Sequence, residues 1–272
     1  MSKDTSKNKL TFGEHLDELR KVLIRISFAV VSLMILVFCF KESVFNLLLA
    51  PCQSDFLTFS FLREMLGKLG LDANLFPGNV ELITTDISSQ FMAHLSVSFY
   101  LGILLSSPYI LYELMKYVSP ALYDTEKKYA YRILIGVYGL FFLGMLVSYW
   151  ILFPVSSRFL SSYSVSPDVK ALISLDSYLS LFISLTVFMG IVFQLPIIAF
   201  SLAKMGIIDH SMMATYRRHA FILIVVVAAI ITPPDILTLL IVAFPLYLLY
   251  ELSIIGVRLL HKRQYKILKT TS

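Results

Sequence analysis

Apolar residues along the chain gather into six stretches with shorter polar intervals between them, at about 22–40, 87–112, 133–153, 177–203, 220–232 and 236–250. A bilayer core about 30 Å thick needs about 20 apolar residues in a helix to cross it. Lipid offers no partner for backbone N–H and C=O groups, so a single span of this kind reads as a helix. The last two stretches have only 13 and 15 uncharged residues, which reach roughly 20 and 22 Å at 1.5 Å per residue. They are joined by Thr232-Pro-Pro-Asp235 and read as a short helical hairpin. The fold class expected is an all-α polytopic membrane protein, one membrane domain over 1–272, with six transmembrane helices of which the last two are short.

Smaller patterns refine this outline. Phe12, Leu16 and Leu19 follow helical spacing ahead of the first stretch, and Asp17 with Lys21 makes an i,i+4 pair. The 41–86 loop holds two short apolar runs, Val44–Leu49 and Phe56–Leu62, between Pro51, Gly67, Gly70 and Pro77-Gly78. It reads as short helices lying on the membrane surface. In the second stretch Ser98, Gly102 and Ser106 recur every four residues, a small-residue face that lets two helices approach closely. His94 reads as a polar residue packed toward the bundle, and Pro108 as a bend near the end. Trp150 and Pro154 close the third stretch. The fourth carries Gln194 and Pro196 inside it.

Composition agrees: 57% of residues are hydrophobic and 15% charged, against a charged share of about 25% in ordinary soluble domains. Of the two cysteines, Cys39 lies in an apolar run and Cys52 in a loop, which gives no disulfide or metal framework. No removable signal peptide is read at the start. The net charge of +5 is explained by its distribution. Eighteen of the 23 lysines and arginines fall in the N-terminal tail, the 113–132 and 204–219 intervals and the C-terminal tail. The positive-inside rule then places both termini in the cytoplasm and the 41–86 loop outside it. Nucleic acid need not be invoked.

The polar interval 119–128, Ser-Pro-Ala-Leu-Tyr-Asp-Thr-Glu-Lys-Lys, is the centre of the candidate chemistry. Ser119-Pro120 reads as a helix start. Asp124 reads as the cap of the next helix, with Glu126 in its first turn, where a carboxylate is favoured. Glu18, in His15-Leu-Asp-Glu-Leu-Arg20, is a second carboxylate on the same side of the membrane. Two such groups can grip two guanidinium groups, because arginine and carboxylate pair as a fork. Each also has a plain structural account, as a solvated helix face and a helix-start charge.

These pieces resemble the TatC family, the receptor subunit of the twin-arginine protein translocase. The matching residues are His15-Leu-Asp-Glu-Leu-Arg20, Ala50-Pro51, Leu105-Ser-Ser-Pro108, Ser119-Pro-Ala-Leu-Tyr123 with Glu126, Phe193-Gln-Leu-Pro196, Thr232-Pro-Pro-Asp235 and Pro245-Leu-Tyr-Leu-Leu-Tyr-Glu251. The resemblance implies a cup-shaped six-helix bundle in the inner membrane. It would bind twin-arginine signal peptides and export folded proteins with the proton-motive force. TatA- and TatB-like single-span subunits would be its partners in an oligomeric complex, with no cofactor and no enzymatic activity. By the same resemblance, Glu18 and Glu126 receive the twin arginines, and Arg20 and Tyr117 belong to that patch. Gln194, Asp235 and Glu251 take partner-binding or intramembrane polar positions, and Pro51, Pro108, Pro120 and Pro196 structural ones. The family often has glutamate where this chain has Gln194. A different class, a secondary transporter for a small solute, would show paired repeats with broken helices; Pro196 and Pro245 are the candidate breaks, and no paired repeat is read. His-Glu-x-x-His and Gly-x-Ser-x-Gly, the marks of two intramembrane enzyme classes, do not occur.

Overall fold

A computed structural model describes residues 12–68, 80–118, 124–163, 166, 172–232 and 236–271. Pro120 and Asp235 lie outside the described residues. Regular structure is helical throughout them, apart from one two-residue parallel ladder that pairs Leu82 with Ile173 and Ile83 with Ser174. The pattern of apolar stretches gave no sign of this ladder. Among the described residues, five helical stretches are long and apolar enough to cross a membrane: His15–Cys39, Ser89–Tyr117, Ile133–Ser162, Leu175–Lys204 and Thr238–Leu259. Helix α10 (Arg217–Ile231) is shorter, at 15 residues. The chain divides into two compact units, residues 1–44 with 94–134 and residues 45–93 with 135–272.

The first unit is built on α1 (Phe12–Cys39) and α4 (Ser89–Val118). Small residues let these helices meet. Ser98 and Ser106 are fully buried, and a Cβ built on Gly102 would lie 2.9 Å from the Met34 Cα. His94 stacks on Phe38 at 4.0 Å, as its packed reading requires. Toward the other end His15 stacks on Tyr117 at 4.6 Å, so the two helices run antiparallel. Pro108 lies inside α4, which continues beyond it. Proline cannot donate to the carbonyl four residues back; the Ser107 hydroxyl donates to that carbonyl, Leu104 O, at 2.7 Å. Helix α5 (Asp124–Val147) begins where the cap was expected and has Glu126 in its first turn. The Glu126 side chain lies outside the described part.

The 41–86 interval forms α2 (Lys41–Leu49), a tight turn over Ala50–Cys52 that buries Pro51, and α3 (Leu57–Lys68). The third span differs from its sequence outline. Trp150 and Pro154 do not close it: a π-helical turn at Ser148–Leu152 leads directly into α6 (Phe153–Ser162). The extra residue in that turn lets the helix pass the proline, and the Thr58 hydroxyl donates to the Trp150 carbonyl within it. Helices α7 (Leu175–Val192) and α8 (Leu195–Lys204) follow one another with a break at Phe193-Gln194 and Pro196 in the first turn of α8. Backbone contact locks α7 to α5, since a Cβ on Gly144 would lie 2.5 Å from Met189 O.

Asp209 caps the short α9 (His210–Thr215), and α10 leads to α11 (Ile236–Thr271). A cluster of Ala199, Ala203, Met213, Ile254 and Val257 fills the space between α8, α9 and α11. The uncharged part of the sixth stretch is short, as expected, but its helix is not. It runs on through Glu251, and the candidate span Thr238–Leu259 has 22 residues.

Candidate functional site

Glu18, Lys21, Val22 and Arg25 stand at i, i+3, i+4 and i+7, on one face of α1. With Lys116 and Tyr117 of α4 they line a cavity of about 350 Å³. The stack of His15 on Tyr117 orients the tyrosine ring beside it. Arg25 reaches further, to Glu113 on α4. Its Nε and Nη2 both donate to Glu113 Oε2, at 3.0 and 2.8 Å. The Tyr109 hydroxyl donates to Oε1 at 3.1 Å. The Glu113 side chain is only 5% exposed while that of Arg25 is 44% exposed. A carboxylate this deep is expensive to ionise alone, and three donors offset that cost.

A second arrangement of the same kind occurs on α11. Arg217 donates to Glu251 through Nε to Oε1 at 2.8 Å and through Nη2 to Oε2 at 2.9 Å. The Tyr247 hydroxyl donates to Oε1 at 3.0 Å. Tyrosine precedes glutamate by four residues in both places, one helical turn. The local sequences match as well, Tyr109-Ile-Leu-Tyr-Glu-Leu114 and Tyr247-Leu-Leu-Tyr-Glu-Leu252. Nearby, hydrogen bonds from Ser211 and His210 hold the Asp209 carboxyl down at about 2. In the turn after α2, burial pushes the Cys52 thiol above its ordinary value.

The family model described as Sec-independent protein translocase protein (TatC) matches residues 14–245. The chain belongs to the TatC family. It is a multi-pass membrane subunit of a Sec-independent protein translocase. A TatC from Blattabacterium sp. subsp. Periplaneta americana is 36% identical over 253 residues, 91% of this chain and 95% of the relative. One from Desulforapulum autotrophicum is 33% identical over 97% of this chain and 89% of its own length. A crystal structure described as the twin-arginine translocase receptor TatC superposes with a TM-score of 0.66 at 32% identity, covering 90% of this chain and 98% of that one.

Against the TatC resemblance, the structure brings some expected residues together and separates others. Glu18 and Tyr117 line one cavity. Arg20 lies on another face of α1, beside the apolar groove of Leu16, Leu19 and Leu23, as two residues' separation on a helix requires. Gln194 donates through Nε2 to Val137 O of α5 at 3.1 Å and to Gly190 O at 3.2 Å, and its buried Oε1 has no hydrogen-bond partner. Glu251 is engaged by Arg217 and Tyr247. The sequence reading missed Glu113 and Tyr109 as parts of the site. The repeated Tyr-x-Leu-Tyr-Glu-Leu hexamer was the signal that could have found them.

Proposed function

We propose that this TatC-family chain binds twin-arginine signal peptides at the cytoplasmic ends of α1 and α4 and the start of α5. Glu18 and Glu126 receive the paired guanidinium groups, Tyr117 packs against the peptide, and Arg20 supports the same patch from the neighbouring face of α1. The observation that carries this reading is the cavity in which Glu18 and Tyr117 meet, on the side where most lysines and arginines cluster. Both termini are cytoplasmic in this reading. TatA- and TatB-like subunits complete the complex, which moves folded proteins with the proton-motive force. Gln194 supports partner docking, because an intramembrane amide with an open acceptor seeks a donor. Asp235 and Glu251 belong to the same partner-facing set.

Crosslinking a twin-arginine signal peptide to positions 15–20 and 117–128 tests the site. Glu126→Gln weakens peptide binding and export while leaving the protein inserted, because charge-assisted hydrogen bonds of about 1.5–3 kcal/mol are lost. Normal export of a twin-arginine reporter by Glu126→Arg protein overturns the assignment.

A further inference from the structure

Charge poses a difficulty for the cavity as it stands. Its lining holds one carboxylate, Glu18, against Lys21, Arg25 and Lys116. Such a surface does not welcome two further guanidinium groups unless a cation moves away. Among the lining residues, Arg25 is the one whose charge is held on a buried carboxylate.

We propose that Glu113 with Tyr109 forms a guanidinium subsite, which the chain's own Arg25 fills until an arginine of the signal peptide displaces it. This rests on the signal-peptide reading above and adds a third carboxylate to it. The receptor half is fixed and the occupant is free to leave. Glu113 is almost fully buried on α4 and held by Tyr109, whereas Arg25 is 44% exposed at the cavity wall.

The pairing geometry points the same way. Both Arg25 donors share one oxygen, Oε2, which falls short of the two-oxygen fork that makes arginine–carboxylate pairs strong. At Glu251 the same tyrosine–glutamate element does hold its arginine by both oxygens. The element is thus a guanidinium holder in its own right, and only its α4 copy carries the incomplete grip. Exchange is like for like: one guanidinium leaves as another arrives, and the buried carboxylate keeps a counter-charge throughout. A lysine ammonium is a point charge without the planar fork, so it competes poorly for this place.

An intramolecular competitor acts at an effective concentration in the millimolar range, so its removal strengthens ligand binding. The test titrates the full chain in lipid nanodiscs with a synthetic signal peptide carrying an Arg-Arg pair, and with a Lys-Lys control. Arg25→Ala binds the Arg-Arg peptide about tenfold tighter or more than wild type, with a smaller gain for Lys-Lys. The gain disappears in the Arg25→Ala/Glu113→Gln double variant. Equal or weaker binding by Arg25→Ala overturns the subsite, as does a gain that survives in the double variant.

A second measurement needs no variant. A photoreactive residue beside the second arginine of the peptide labels wild-type α4 between Tyr109 and Glu113. Labelling confined to 15–20 and 117–128 overturns the subsite and leaves the signal-peptide reading standing. That reading fails separately, if wild type binds no peptide or if Glu126→Gln binds it as well as wild type does.

Discussion

Two arginine–glutamate–tyrosine clamps of nearly the same sequence sit in different surroundings. On α4 the clamp belongs to a seam of polar and small residues, Ser98, Gly102, Ser106 and Glu113, laid against α1. On α11 it stands beside an apolar cluster that includes Ala199, Ala203 and Ile254. The spans differ in the same sense. Only 11% of the most apolar window of α1 and 22% of that of α4 are buried, against 39% for α7–α8 and for α11. A helix pair with so little packing depends on each contact it has. A clamp beside a filled core is one support among several.

The sharpest way to break this contrast uses two glycines. A side chain at Gly102 meets the Met34 backbone, which cannot give way, whereas Gly256 on α11 has nothing within 4 Å. Gly102→Leu should separate α1 from α4 and cost about 1–3 kcal/mol or more, read as a lowered unfolding temperature in detergent. Gly256→Ala should be neutral or stabilise by up to about 1 kcal/mol through helix propensity. Equal losses in both would erase the contrast.

Arginine removal gives a smaller difference. Arg25→Ala strands a carboxylate that is 5% exposed, Arg217→Ala one that is 29% exposed. A buried charge left alone costs more than a hydrated one. The unfolding temperature should therefore fall further for Arg25→Ala, and added salt should weaken the Arg217 pair more.

Acid gives the smallest effect, confined to the α9 corner. The Asp209 carboxyl titrates near 2 in the folded chain and near 3.9 when unfolded. Its contribution is complete above about pH 4 and is lost as pH falls toward 2. The protection of the α9 amides relative to intrinsic exchange at each pH should fall across that window in wild type and stay flat in Asp209→Asn. No acid response in wild type would remove the cap from the account.

Most of the spans, the small-residue face of α4 and the packed His94 were legible in the sequence, because each rests on spacing within one helix. What escaped was pairing between helices. The second and sixth stretches were ended just before Glu113 and Glu251, since a charge marks a membrane boundary when it stands alone. Both helices run on past their glutamates, because Arg25 and Arg217 arrive from elsewhere in the chain to neutralise them. Pro154 misled in the same manner. It marks an end unless the turn before it widens, and Thr58, which donates to that turn, is 96 residues from the proline in sequence.

That proline has an effect beyond its own helix. The wide turn that carries the chain into it presents the Trp150 carbonyl on the flank of the span, and α3 ties on at that point through Thr58. A flaw in one rod is thus the mooring ring of its neighbour. Shifting Pro154 by a single position would move the wide turn and its carbonyl around the cylinder, and α3 would drift from its berth with its own sequence unaltered.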